Sequence, residues 1–221
     1  MLNTKRKGGS WFPASDDAEV DSHAPQPDFG LSLFQLSVSL IDSQNAARPG
    51  DLVAALGYLA GRAAQNLALR IDPASFYLGR ASTGGVFLMS DRVTALIGNM
   101  QPGTLASALV DRAIRSGATR FPDFNLVRMQ AREAMERRAQ HDALGNMLSK
   151  HPADLAREIQ SGFDALFAQD HDHDLLVRSV FLACGHAISY GRSHLPPVEA
   201  AELCMSVALF ASWLDRRQSA R

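Results

Sequence analysis

The chain has 221 residues, of which 46% are hydrophobic, and its formal net charge at pH 7 is −1. This apolar content is enough for a packed core and excludes a globally disordered chain. The near-neutral charge argues against a nucleic-acid-binding protein, and no apolar run is long enough to span a membrane. We therefore expect a cytoplasmic domain that binds neither nucleic acid nor a membrane.

The N-terminal segment, residues 1–29, is predicted to be a disordered tail in front of a helical domain that covers residues 30–217. Basic residues 5–7 are followed by acidic residues and then by prolines, and no apolar residue recurs with the period of a helix or strand. Trp11 and Phe12 are exceptions. We interpret them as isolated aromatics, with a short docking motif as the alternative.

Two helices are expected next. Residues 31–41 fit both a strand period and a helix period, and we favour the helix. Residues 51–70 carry one apolar stripe and a second stripe that contains Gly57 and Gly61. Because small residues let another backbone approach closely, this second helix is predicted to be central, with two packed faces.

The helical pattern of the sequence stops at residue 71. Two short β-prone runs within residues 76–89 predict a small β-hairpin. Helices are then predicted at 91–97, 104–116, 124–148 with a bend near Gln140, 152–169, 174–190 and 197–216. The predicted fold is a mainly α, multi-helix, bundle-like single domain with one hairpin.

The last two helices suggest self-association. Residues 174–190 have apolar side chains on nearly all sides, including Leu175 and Leu182. The last helix has a narrow polar stripe of Glu199, Glu202 and Ser206, and Trp213 continues this stripe. Large aromatics on a solvent face are often covered by a partner, so Trp213 is our interface candidate for a homodimer. The alternative is that Trp213 packs against residues 31–41.

A ligand site is the competing hypothesis. Tyr58, Arg62 and Gln65 lie at i, i+4 and i+7 on the polar side of the glycine-rich helix. An arginine beside a tyrosine and an amide suits a carboxylate or phosphate, although a solvated stripe gives the same spacing. With His186, these residues are the candidates for an enzyme or small-molecule pocket between the central helices. The sequence does not identify the ligand.

Residues 170–174 alternate aspartate and histidine, as some metal sites do. We interpret them as a helix start, with Asp172 as the cap and Asp174 in the first turn, and predict no metal. Cys184 and His186 point about 200° apart on a helix, so they do not form a catalytic pair. We read both cysteines, Cys184 and Cys204, as small buried apolar residues.

No cofactor is predicted, because residues 79–86 lack the lysine and hydroxyl residue of a phosphate-binding loop. Residues 112–138 are rich in arginine, but interspersed aspartates and glutamates offset much of this charge. A glutamate four residues before an arginine, as in Glu133 and Arg137, is typical of an exposed helix surface. We interpret this region as a solvated face rather than a nucleic-acid surface.

Three segments carry a resemblance. They are residues 57–65 (Gly-Tyr-Leu-Ala-Gly-Arg-Ala-Ala-Gln), the aromatic and glycine-rich stretch that follows, and residues 195–201 (Leu-Pro-Pro-Val-Glu-Ala-Ala). Together they resemble an uncharacterised group of helical proteins from alphaproteobacteria. The resemblance implies a helical fold and a bacterial cytoplasmic location, and it implies no activity.

Overall fold

The computed structural model describes residues 28–42, 48–80, 86–137, 148–167 and 172–214. Within these ranges the chain is mainly helical with one antiparallel pair of strands, which confirms the predicted fold class. The predicted tail before residue 28, with Trp11 and Phe12, and the bend near Gln140 lie outside the described residues. The helices are α1 (Phe29–Asp42), α2 (Pro49–Ile71), α3 (Asp91–Gly98), α4 (Leu105–Arg115), α5 (Phe124–Arg137), α6 (Pro152–Phe167), α7 (His173–Gly191) and α8 (Pro197–Trp213); the strands are β1 (Phe76–Arg80) and β2 (Val86–Ser90), and a 3₁₀ turn (Pro73–Ser75) precedes β1.

Helices α2 and α8 form the centre of the fold and pack directly against each other. A Cβ atom built on Gly57 would lie 2.7 Å from the carbonyl oxygen of Cys204, and one built on Gly61 would collide with the carbonyl of Ala208. The two helix backbones therefore touch along this stripe. The predicted close approach at the glycines of α2 is confirmed.

Helix α8 is buried on all sides after its first turn, so the prediction of a solvent-facing polar stripe holds for Glu199 and is wrong for the rest of its length. Glu202 is 5% exposed and Ser206 is 2% exposed. The Glu202 carboxylate accepts hydrogen bonds from Arg120 Nη1 and from the backbone N–H of Asp123, both at 2.9 Å. The Ser206 hydroxyl bonds the side chain of Gln130 at 2.7 Å. Helix α5 and the segment before it cover the stripe and satisfy its polar groups.

Helix α7 packs between α1, α2 and α4, but its outer side is not covered within the described residues. Leu175 is 44% exposed and Leu182 is 46% exposed, so the prediction of burial nearly all round is wrong. Helix α1 confirms the helical interpretation of residues 31–41 and lies against α7, where a Cβ atom on Gly30 would overlap that of Leu182. The neighbouring elements cover one broad face of α7 only.

The predicted hairpin is present, with Phe76 paired to Ser90 and Arg80 paired to Val86. Gly79 pairs with Phe87, and a Cβ atom on Gly79 would collide with the Phe87 ring. The ring therefore lies across β1 in the space that the glycine leaves. One face of the hairpin turns toward α5 and α8, whereas Leu78 on the other face is 72% exposed.

The apolar helices of the fold are packed against one another in the domain core. Within the described ranges, none of them combines the length and the apolar character that a membrane crossing requires.

Candidate ligand-binding site

A cavity of about 610 Å³ lies between the hairpin and helices α3, α5 and α8. Its volume falls within the range of roughly 300–1,000 Å³ that is typical of ligand sites. We call it the hairpin pocket. The described residues that line it are Tyr77, Arg80, Phe87, Met89, Asp91, Thr94, Asn125, Arg128, Met129, Arg132, Met135, Glu136, Leu209 and Trp213.

The floor of the hairpin pocket is apolar and aromatic. Leu209 and Trp213 come from α8 and are 3% and 8% exposed. The Phe87 ring packs on Trp213 with centroids 6.0 Å apart and an angle of 35° between the ring planes. Met89 of β2 and Met135 of α5 are half-buried beside them. Thioethers and rings make a polarisable surface that suits the apolar body of a ligand.

The rim of the hairpin pocket carries three arginines. Helix α5 presents one face to the cavity, because its lining residues recur every three or four positions, and this face includes Arg128 and Arg132. Arg80 stands at the end of β1. All three are exposed, and among the described residues none of them forms a hydrogen bond or an ion pair. By contrast, the exposed Arg115 pairs with Asp111 at 3.1 Å. The rim arginines therefore have side-chain donors available for a ligand.

Two carboxylates also line the pocket, Asp91 at the start of α3 and Glu136 near the end of α5. The Tyr77 hydroxyl donates a hydrogen bond to Asp91 Oδ1 at 3.3 Å. Desolvation raises the pKa of Tyr77, and the charge of Asp91 and this hydrogen bond raise it further. Tyr77 therefore remains a neutral donor, and one oxygen of Asp91 is already engaged.

The predicted ligand-binding residues of α2 lie outside the hairpin pocket. Tyr58 and Gln65 are buried, so the alternative of a solvated stripe is wrong for both. Arg62 Nη1 donates to Gln65 Oε1 at 2.7 Å and to the backbone oxygen of Leu214 at 3.0 Å, and Gln65 Nε2 donates to the same oxygen at 3.1 Å. Arg62 and Gln65 thus bind the C-terminal end of α8. None of the three residues lines the hairpin pocket.

His186 lies beside α1 and the residue before it, Asp28. Its Nε2 lies 3.7 Å from Asp28 Oδ2, and its ring centroid is 5.8 Å from that of Phe34 on α1. Burial lowers the pKa of His186 and the positive charge of Arg112 adds to this shift, while Asp28 opposes it. The structure therefore does not bring His186 together with Arg62 and Gln65, and the predicted residues do not form one site.

Trp213 is buried, which removes the premise that it is an exposed aromatic. It contacts Phe87 of the hairpin, and so neither a second subunit nor α1 is needed to cover it. The sequence pattern was misleading because the hairpin, which comes more than 120 residues earlier in the chain, covers this end of α8. Trp213 instead forms part of the floor of the hairpin pocket.

The remaining chemical motifs have structural roles. Both cysteines are buried as predicted, and burial together with the hydrogen bond to Cys204 raises the pKa of the Cys184 thiol well above its ordinary value. Asp172 Oδ1 accepts a hydrogen bond from the backbone N–H of Asp174 at 2.9 Å, which confirms it as the cap of α7. His171 lies outside the described residues. Within those residues, no three histidine, cysteine, aspartate or glutamate side chains are grouped as a metal site would require.

Sequence reasoning missed the rim arginines, because Arg128 and Arg132 belong to the region that we interpreted as a solvated face. One signal was present in the sequence. Methionines alternate with the arginines at helical spacing on α5, and Met129 is 52% exposed. A purely solvated helix face has little use for methionine, but the pattern alone does not show what lies opposite.

Comparison of the chain with protein-family models, with curated proteins and with solved structures gives no significant match.

Proposed function

We propose that this protein binds a small organic anion with an apolar body in the hairpin pocket. The single observation that carries the proposal is the combination of a buried aromatic floor with three rim arginines that have no partner among the described residues. The apolar body of the ligand packs on the floor of the pocket and is removed from water. This burial stabilises the complex by roughly 25 cal/mol per Å² of apolar surface. The anionic group contacts the guanidinium donors at the rim.

Binding rather than catalysis is the function that the lining supports. The described residues of the pocket include no histidine or cysteine, and one carboxylate, Asp91, is engaged by Tyr77. The hydroxyl of Thr94 donates a hydrogen bond to the backbone oxygen of Ser90 at 3.0 Å. The hydroxyl proton is therefore already engaged at the start of α3. The described lining therefore holds no serine, cysteine or histidine that could act as a nucleophile beside a general base.

Isothermal titration calorimetry with 1-naphthoate tests the proposal. The wild-type protein is expected to bind one molecule saturably. Met89→Trp adds a large ring inside the pocket and should weaken binding by at least about tenfold, since the ring takes the space of the ligand body. Leu78→Trp is the matched control, because it adds the same ring on the exposed outer face of the same hairpin. The proposal is wrong if wild-type protein shows no saturable binding, or if both variants bind like wild type.

A second candidate function is self-association as a homodimer, and exposed apolar residues on α1 and α7 favour it. Leu175 and Leu182 lie one above the other on α7, and the adjacent Phe29 of α1 is 41% exposed. A second copy of the chain would cover this face by two-fold symmetry. Leu182→Glu should halve the mass measured by light scattering, whereas Leu78→Glu on the hairpin should leave it unchanged. A monomeric wild-type protein at tens of micromolar would contradict this candidate.

The cytoplasmic location in a bacterium also remains a proposal. It is supported by the absence, within the described residues, of a helix that could cross a membrane and by the resemblance of residues 57–65 and 195–201. Fractionation of cells that express the full chain with a C-terminal epitope tests it. Recovery in the membrane or periplasmic fraction would contradict it.

A further inference from the structure

We infer that the ligand of the hairpin pocket has a singly charged anionic head, of the carboxylate class, and that Arg132 is the central anchor for this head. The inference rests on the proposed function and adds the charge of the ligand and its position. It follows from the order in which the charged residues are placed along the pocket.

The direction of the pocket is set by the parallel packing of α5 and α8. The start of α5 lies beside the first half of α8, because Glu202 accepts a hydrogen bond from the backbone N–H of Asp123. One turn later on α8, Ser206 contacts Gln130. Since both helices continue in the same direction, the end of α8 with Trp213 lies beside the second half of α5.

The hairpin runs along the same direction. Asp91 follows directly after the Phe76–Ser90 pair, whereas Arg80 belongs to the pair at the opposite end of the hairpin. Arg128 shares a small neighbouring cavity with Thr94 of α3 and therefore lies at the Asp91 end. Phe87, next to the Arg80 end, contacts Trp213.

Each end of the pocket thus holds one cation and one carboxylate. Arg128 lies at the end with Asp91, and Arg80 lies at the end with Trp213, where Glu136 lines the pocket from the last turn of α5. Arg132 is one helical turn, about 6 Å, from both Arg128 and Glu136 along the axis. The described lining residues carry one positive charge in excess, and Arg132 occupies the middle.

This arrangement selects a monoanion. A carboxylate next to Arg132 neutralises the excess charge and accepts a forked pair of hydrogen bonds from one guanidinium. A dianion would leave one negative charge in excess among the described lining residues, and Asp91 and Glu136 would repel it. The body of the ligand then extends from Arg132 onto the rings of the floor.

Ligands with the same ring and different heads test the inference by calorimetry at pH 5.5 and 7.5. The second ionisation of a phosphate monoester occurs near pH 6, so 1-naphthyl phosphate changes from a monoanion to a dianion in this range. Its affinity should fall several-fold between pH 5.5 and 7.5, while that of 1-naphthoate stays constant. The reference ligand is 1-naphthalenesulfonate, which is a monoanion at both pH values. A change in its affinity therefore reports titration of the protein groups that face the head, which are Tyr77, Asp91, Glu136, Arg80, Arg128 and Arg132.

Arginine variants test where in the pocket the anionic head of the ligand lies. Arg132→Gln should weaken 1-naphthoate by about tenfold or more, because it removes a charge-assisted hydrogen bond, and should leave the neutral 1-naphthol unchanged. Arg80→Gln and Arg128→Gln should each cost less than Arg132→Gln. Arg115→Gln on α4, whose arginine pairs with Asp111, is the control and should bind like wild type.

Two results would overturn the inference and leave the proposed function intact. One is tighter binding of 1-naphthyl phosphate at pH 7.5 than at pH 5.5 relative to the sulfonate. The other is a larger loss of 1-naphthoate affinity in Arg80→Gln or Arg128→Gln than in Arg132→Gln. If neither 1-naphthoate nor 1-naphthol binds the wild-type protein, the proposed function itself fails.

Discussion

Replacing Gly61 by alanine adds a single methyl group at the contact between α2 and α8. The built Cβ atom collides with the carbonyl of Ala208, and it lies 2.8 Å from the carbonyl carbon and 3.0 Å from the Cα atom of that residue. These are backbone atoms of the central helix, which cannot move aside as the end of a flexible side chain can. Gly61→Ala must therefore separate the two helices or displace one of them.

Two effects of opposite sign determine how much Gly61→Ala changes the free energy of unfolding. Alanine favours the helix by about 1 kcal/mol relative to glycine. Overpacking a tight core costs typically about 1–3 kcal/mol, and a backbone collision in the centre of the fold belongs at the upper end of this range. We therefore expect a net loss of about 2 kcal/mol in the free energy of unfolding. For a domain of this size, this loss lowers the melting temperature by about 4–8 °C.

Denaturant unfolding measured by circular dichroism gives the comparison, and Gly185→Ala on α7 is its matched control. The nearest atom to a Cβ on Gly185 is the Cβ atom of Arg112 at 3.5 Å, which is an ordinary contact. Only the helix preference then acts, so Gly185→Ala should stabilise the protein by about 0.5–1 kcal/mol. An unchanged or raised midpoint for Gly61→Ala, with an unchanged denaturant slope, would refute the close-contact reasoning.

Three further predictions follow from individual contacts. Because the pKa of His186 in the folded protein is lowered from its ordinary value of about 6.5, the unfolded chain binds the proton more tightly there. Stability should therefore fall as the pH drops below about 6.5, and unfolding titrations of His186→Gln should show a smaller fall than wild type. Gly79→Val should displace the Phe87 ring and weaken 1-naphthoate binding while leaving the helical circular dichroism unchanged; unaltered affinity would contradict the role of the ring. Deletion of residues 1–27, which keeps Asp28 and its hydrogen bond to the backbone N–H of Leu31, should leave the melting temperature unchanged, and a clear fall would show that Trp11 and Phe12 dock on the domain.

Local signals in the sequence were sufficient for the secondary structure and for one tertiary contact. The start of α7 is readable because a cap acts on the neighbouring backbone, as Asp172 does there. The hairpin was readable from two β-prone runs. The glycines of α2 predicted a close backbone approach, because a stripe without side chains in a helix is unfavourable unless packing compensates for it.

The burial of each helix face was decided by tertiary structure. Glu202 and Trp213 look solvent-facing on α8, and Leu182 looks buried on α7, because periodicity describes a helix in isolation. The actual covering elements are α5 and the hairpin for α8, while the outer side of α7 has no covering element among the described residues. No local pattern specifies which distant element packs on which side.

The candidate site depends on the tertiary structure most of all. Arg128 and Arg132 at i and i+4 have the same spacing on a solvated helix as on the rim of a pocket. They line a pocket only because the β1–β2 hairpin, more than 35 residues earlier in the chain, lies opposite α5, with Trp213 closing the floor from α8. The spacing of Arg128 and Arg132 in the sequence is enough to place both cations on one helix face. Only the packing of four elements decided that this face encloses a cavity, because enclosure is a property of several surfaces together and of no single one.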